Sequence, residues 1–273
     1  MRDGIVGGSG LARPRLGLAV FFAIAFGVSW TGWIVQRQTV GLNHMFDSFA
    51  LYWVGAGPSI AGFAAAWAEG GWSGLRRFAT RVFNLRFAIW IWPLAVLLPL
   101  AAALLTFATH PGDLLQGGTP KFAGVLAAAS LMNFFTGPIA EEFGWRGYLL
   151  NRLGRRVSPV LAGLAIGPVW AAWHIPIFYD SIFAHLQSAL GYLAWVTAWS
   201  VVLALIVARA RGSVLPSILG HWAANAAPLI FFALLPALPG ESQPGGLAFP
   251  AASVVVAVAL AWTWRKVTWN PVA

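Results

Sequence analysis

The chain has 273 residues, of which 59% are hydrophobic and only 9% are charged. Roughly a quarter of the residues of an ordinary soluble domain are charged, so this composition excludes a water-soluble globular protein. The chain has no cysteine, which also excludes disulfide bonds and thiolate chemistry.

Eight apolar segments are each long enough to cross about 30 Å of hydrocarbon, which requires ~20 helical residues. In chain order they are 16–35, 49–68, 87–109, 122–145, 159–179, 189–208, 213–237 and 247–264. The first follows basic residues as a signal peptide would, but its length favours a retained helix. No polar stretch is long enough for a separate soluble domain. We therefore predict one all-α transmembrane domain over residues 1–273, a bundle of about eight helices.

The basic residues are concentrated in every second connecting segment. These segments, together with the two termini, hold Arg2, Arg13, Arg15, Arg76, Arg77, Arg81, Arg86, Arg152, Arg155, Arg156, Arg209, Arg211, Arg265 and Lys266. The opposite segments hold only Arg37 and Lys121. Since cytoplasmic loops are enriched in Lys and Arg, both termini are predicted to be cytoplasmic. The net charge of +9 then reflects topology and contact with the lipid bilayer, and no nucleic-acid partner is expected.

The fourth span carries charged residues that are rare inside a membrane helix, in the sequence GPIAEEFGWRG. In a helix Glu142 and Arg146 are four residues apart and can form an ion pair. Glu141 is rotated about 100° away from Glu142, so one carboxylate can be neutralised while the other stays free to act. The alternative is that the span ends near Ile139 and that residues 141–156 form a solvated interfacial helix.

Two later spans add histidines. His174 follows Trp170 by one turn and precedes Pro176, which is expected to disturb the end of the helix. His221 and Asn225 are four residues apart in the seventh span, so both project from one face of that helix. Each has a plain alternative, since His174 could be a packing residue and the other pair an interhelical hydrogen-bonding feature.

The depths of these residues can be compared at 1.5 Å of rise per residue. This rise predicts a depth of roughly 12 to 18 Å from the cytoplasmic boundary, near the middle of the bilayer, for Glu141, His221 and Asn225. His174 comes out several ångström deeper, a mismatch that a tilt or a bend at Gly167-Pro168 would remove.

Three motifs follow one another along the chain: Glu-Glu-x-x-x-Arg at 141–146, Trp-x-x-x-His at 170–174 and His-x-x-x-Asn at 221–225. Together they resemble the CPBP family of intramembrane endopeptidases, also called Abi, which contains CAAX prenyl proteases and bacteriocin-processing enzymes. The resemblance centres on residues 120–230. It implies hydrolysis of a peptide bond in a membrane-associated peptide or prenylated protein. Trp170 stands where other members carry Phe, a difference expected to matter little.

The resemblance also implies roles for individual residues. Glu141 with His174 would activate water as a general base, and His221 with Asn225 would bind the oxyanion. Such groups suit a cavity within the membrane, where preorganised donors stabilise developing negative charge more than they would in water.

The resemblance implies that Glu142 and Arg146 orient and brace the site. It leaves the metal question open, because the family is often called metalloproteases and a metal-free, glutamate-dependent mechanism is also proposed for it. Glu141, His174 and His221 would be enough ligands for a catalytic zinc ion. There is, however, no His-Glu-x-x-His helix.

Two other functions remain open from the residues alone. Charged groups inside a membrane also mark ion paths, so a proton-coupled transporter is one alternative, although no repeat relates the two halves as in many transporters. A non-catalytic immunity or scaffolding protein with the same fold is the other. The frequent Ala, Gly, Arg and Trp residues indicate a GC-rich bacterial genome, and hence the bacterial cytoplasmic membrane.

Overall fold

The computed structural model describes residues 13–39, 53–109, 123–234 and 247–272, which contain helices and no strand. The helices are α1 Arg13–Thr39, α2 Gly57–Val82, α3 Ile91–Thr109, α4 123–153, α5 Pro159–Trp173, α6 Ile175–Ile182, α7 Leu186–Arg209, α8 Leu215–Leu234 and α9 Ala248–Thr263. The predicted all-α fold is therefore confirmed.

Each predicted span overlaps a described helix, and α5 and α6 share the fifth span with a bend of 84° between them. Within the described ranges, α1, α3 and α7 are each long and apolar enough to cross a membrane, and the bent pair could form a fourth crossing. Helix α9 is apolar but shorter. These features confirm a multi-pass membrane bundle.

Segments predicted to share one side of the membrane lie together. The Val214 amide donates a hydrogen bond to the Val82 carbonyl (3.1 Å), so the chain between α7 and α8 lies against the end of α2. At the opposite end, Arg37 Nη2 lies 2.9 Å from Asp180 Oδ1 and ties α1 to α6. This arrangement matches the alternation of basic and non-basic segments along the chain.

Helix α7 occupies the centre of the bundle, where residues 198–208 are all buried. It packs mainly against α5 and α9. A Cβ at Gly163 of α5 would lie 2.7 Å from the Val201 Cα, so this glycine allows the two backbones to approach closely, as small residues do in membrane helices. The close approach fixes the position of α5, whose last turn carries Trp170 and Trp173.

Helix α4 is not a regular α-helix. Two π-helical segments, Phe135–Ile139 and Phe143–Leu149, flank the short α-helical segment Ala140–Glu142. A Cβ at Gly144 would collide with the Pro58 carbonyl of α2, so this side of α4 lies directly against the α2 backbone. Because π-bulges occur frequently at functional sites, the segment that carries both glutamates is the natural place to look for one.

Candidate active site

The charged residues of α4 lie inside the protein. Glu141, Glu142 and Arg146 are 4%, 0% and 1% exposed, and residues 140–151 are all buried. Helix α4 also continues through this segment to residue 153. The alternative of a solvated interfacial helix over residues 141–156 is therefore wrong.

Glu142 joins two helices. Its Oε1 accepts a hydrogen bond from Arg146 Nη1 (2.8 Å) and lies 2.9 Å from His221 Nδ1 of α8. The ion pair predicted from the four-residue spacing is thus present. An ionised carboxylate can only accept hydrogen bonds, so Nδ1 of His221 carries a proton in this contact. Glu142 therefore orients the His221 ring and leaves Nε2 for other partners.

Glu141 has a separate environment. Its Oε2 accepts a hydrogen bond from the indole Nε1 of Trp170, and its Oε1 lies 3.9 Å from His174 Nε2. The Nδ1 of His174 lies 2.9 Å from the Trp170 carbonyl, which can only accept, so in the neutral ring Nε2 keeps its lone pair. The distance of 3.9 Å is too long for a direct hydrogen bond and is of the size that a bridging water spans.

His174 lies at the bend itself, ending α5 and beginning α6. Pro176 lies in the first turn of α6, where its missing N–H is tolerated. A tilt or a bend at Gly167-Pro168 would remove the depth mismatch of His174, but the helix break lies at neither of these residues, since α5 continues through Pro168 as one helix. The carbonyl of Trp173 accepts a hydrogen bond from the Trp30 indole (2.9 Å), which satisfies a backbone group that the bend leaves free.

Asn225 lies one turn after His221 but has a different partner. Its Nδ2 donates to Asn133 Oδ1 of α4 at 3.0 Å. Gly137 leaves space for this contact, since a Cβ there would lie 3.3 Å from Asn225 Nδ2. The structure thus holds the amide of Asn225 between α4 and α8, with one Nδ2 proton remaining for another acceptor.

Sequence reasoning missed three neighbours of these residues. The Trp170 indole could not be assigned as a donor before the fold was known, and Asn133 could have been singled out as a polar residue inside an apolar span. The third is Tyr192 of α7, whose ring centroid lies 6.3 Å from that of His174. No sequence signal marks Tyr192, because tyrosine is common near membrane interfaces.

A zinc ion at this site would take Glu141, His174 and His221 as its ligands. Catalytic zinc needs three protein ligands about 2.0 to 2.2 Å from one point. In the described part of the chain, no group of three His, Cys, Asp or Glu side chains is placed to hold a metal ion. As they lie, the described side chains do not form a zinc site.

Comparison with known proteins gives two matches. Residues 123–227 match a family model described as type II CAAX prenyl endopeptidase Rce1-like. A stretch of 92 residues is 26% identical to a protein of Methanococcus maripaludis named CAAX prenyl protease 2, covering 31% of this chain and 34% of that protein. The alignment thus spans about a third of that relative's length. Both glutamates, Arg146, both histidines and Asn225 fall within residues 123–227.

Proposed function

We propose that this protein is an intramembrane endopeptidase, because residues 123–227 match the family model described as type II CAAX prenyl endopeptidase Rce1-like, in agreement with the resemblance of the three motifs. It cleaves a peptide bond of a membrane-associated peptide or prenylated protein. The observation that carries the proposal is the pairing of Glu141 with His174 across 3.9 Å. Glu142, by contrast, is engaged by Arg146 and His221.

In the proposed reaction a water molecule lies between Glu141 Oε1 and His174 Nε2. Glu141 accepts one proton as the water oxygen forms a bond to the carbonyl carbon of the substrate. The C–N bond then breaks, and the protonated Glu141 delivers its proton to the leaving amine. A general base held within hydrogen-bonding reach of the water typically contributes about 10² to 10⁴ in rate.

The oxyanion formed in this step needs hydrogen-bond donors. The amide of Asn225 offers its second Nδ2 proton, since the first is donated to Asn133. His221 donates through Nε2 when its ring carries both protons, and Glu142 at Nδ1 then balances the imidazolium charge. Donors held in place before the reaction are worth about 2.7 to 4 kcal/mol each in sites of this kind.

We further propose that this reaction uses no bound metal ion. The support is the spacing: no three His, Asp or Glu side chains of the described residues are placed to hold a metal ion, whereas Glu141 Oε1 and His174 Nε2 lie 3.9 Å apart, a distance that a bridging water spans. A glutamate–histidine mechanism uses these two atoms as they lie. The proposed location is the cytoplasmic membrane of a bacterium, as the amino-acid composition indicates.

The test is cleavage of a peptide library, containing farnesylated, geranylgeranylated and unmodified C-terminal peptides, by the protein purified in detergent. We expect Glu141→Gln, His174→Ala and His221→Ala each to reduce kcat by at least about 10², because each removes a base or a donor from the reacting centre. His185→Ala is the matched control, because His185 is exposed and lies outside the site. A chelator should leave wild-type cleavage unchanged.

Two results would contradict the protease proposal, and a third would contradict the metal-free mechanism. Cleavage that persists in all three variants would remove these residues from the reaction. Wild-type protein that cleaves no member of the library would contradict the assignment of this substrate class. Cleavage that is lost with a chelator and restored by zinc would overturn the metal-free mechanism while leaving the protease assignment intact.

A further inference from the structure

A cleft of about 640 Å³ lies at the end of the bundle that is predicted to be cytoplasmic. One wall is the turn that follows α7, and the other is the segment that follows α9. The Val272 amide donates to the Arg211 carbonyl (3.0 Å) and holds the two walls together. None of the candidate catalytic residues lines this cleft.

The lining of the cleft is strongly basic. Arg209, Arg211, Arg265 and Lys266 all line it, whereas no acidic side chain of the described ranges does. Among the described residues, none of these four makes an ion pair with a carboxylate. Four positive charges in one concave site with no local compensation favour an anionic ligand.

Aromatic contacts hold two of these arginines in place. The Arg209 guanidinium lies 4.9 Å from the Trp264 ring centroid. Arg265 lies 5.1 Å from the Trp262 ring centroid and donates a hydrogen bond to the Trp262 carbonyl (3.0 Å). A cation over an aromatic face keeps its outward N–H groups available, so the donors are oriented without a ligand.

The surroundings of the cleft place it at the level of the lipid headgroups. Trp262 and Trp90 are 70% and 45% exposed, and exposed tryptophans near helix ends mark the membrane–water interface. The neighbouring surface of α9 exposes Val255 and Val258, an apolar face suited to acyl chains. A ligand with a phosphate at the cleft and hydrocarbon along α9 would satisfy both surfaces.

We propose that this cleft binds the headgroup phosphate of an anionic phospholipid in the cytoplasmic leaflet. The four basic side chains bind the phosphate oxygens, and Thr268 and Asn270, which also line the cleft, contribute neutral hydrogen bonds. The enrichment of positive charge on the cytoplasmic side does not by itself explain the cleft. Arg155 and Arg156 follow the same rule and are exposed, yet they do not line it.

The experiment is native mass spectrometry of the full-length protein in detergent, titrated with phosphatidylglycerol and, separately, with phosphatidylcholine. We expect Arg211→Gln/Lys266→Gln to weaken phosphatidylglycerol binding by at least about ten-fold, because each change removes a charge-assisted hydrogen bond to the headgroup phosphate. The control Arg155→Gln/Arg156→Gln removes the same charge outside the cleft and should change binding by less than about two-fold, because the site would be intact.

A second variant guards against a folding defect at Arg211, whose φ of 56° is unusual for a residue other than glycine. Arg265→Gln/Lys266→Gln leaves that turn untouched and should weaken binding to a similar extent. Equal losses in the cleft and control variants would overturn the proposal in favour of diffuse surface attraction. Displacement of the lipid by equimolar glycerol 3-phosphate would also overturn it, because the site would then be one for a soluble phosphate.

Discussion

The side chain of Trp170 has a hydrogen bond that a phenylalanine at this position could not make. Its indole N–H donates to Glu141 Oε2, and its carbonyl lies 2.9 Å from His174 Nδ1. The second contact uses only the backbone and is available to any residue, whereas the first depends on the tryptophan. The substitution that sequence analysis expected to matter little therefore provides a direct contact with the proposed base.

Trp170→Phe tests this contact at the residue scale. Loss of a hydrogen bond to a charged group costs about 1.5 to 3 kcal/mol, so kcat should fall roughly ten- to a hundred-fold if the bond orients Glu141 for proton transfer. The change should appear in kcat rather than KM, because substrate contacts are not altered. Peptide cleavage at saturating substrate measures it.

Trp199→Phe is the matched control for that experiment. Trp199 is buried in α7, and its indole nitrogen has no hydrogen-bond partner among the described residues. Phenylalanine there removes an indole without removing a hydrogen bond. Equal losses of kcat in the two variants would indicate a packing effect and remove Trp170 from the proposed mechanism.

At the scale of the helices, the Glu142–Arg146–His221 cluster connects α4 to α8. Both charged groups of the ion pair are completely buried. Removing one partner of a buried pair typically costs 3 to 5 kcal/mol, because the other charge is left uncompensated, whereas replacing both partners costs far less. The ion pair therefore links the geometry of the proposed active site to the stability of the bundle.

A double-mutant cycle measures this link. We expect Glu142→Gln and Arg146→Gln to lower the thermal unfolding temperature strongly, and the double variant to lose less than the sum of the two, since neither charge is then stranded. Unfolding in detergent, followed by tryptophan fluorescence, provides the readout. Strict additivity of the two losses would show that the residues do not act as a pair.

Glu69→Gln is the comparison for that cycle. Glu69 pairs with Arg152 at 2.9 Å, but both side chains are partly exposed. Ion pairs with access to solvent contribute about 0 to 1 kcal/mol. This variant should therefore lower the unfolding temperature much less than Glu142→Gln does.

At the scale of the whole molecule, the orientation of the protein in the membrane is predicted from the positions of its basic segments. The absence of cysteine in the natural sequence allows a direct test with single introduced cysteines. In intact cells a membrane-impermeant maleimide should label Asp180→Cys and should label Arg156→Cys only after lysis, because the positive-inside rule places residue 156 in the cytoplasm. The reverse labelling would invert the predicted topology.

Sequence periodicity and composition predicted those features of the fold and site that depend only on the spacing of residues along the chain. Apolar runs located the helices, and the interval of four residues predicted the pairing of Glu142 with Arg146. Pro176 predicted a disturbed helix end beside His174, where the structure bends, but the size of the bend, 84°, was not predicted, because prolines in membrane helices, such as Pro168, are often tolerated where neighbouring groups satisfy the backbone. The pairing of Asn225 with Asn133 depends on how α4 meets α8, which no local pattern specifies.

The bend after α5 also affects how the segment that carries His174 is held in the bundle. His174 lies at the bend between α5, which packs against the central helix α7, and the short helix α6. Near its end, α6 contacts α1 through the ion pair of Asp180 with Arg37. Phe178 interrupts the helical geometry of α6, with φ −114° and ψ 19°, so the segment from His174 to Asp180 is short but is not one straight helix. The segment that carries the His174 ring is thus held at its other end by a contact with α1, on the side of the bundle opposite the basic segments.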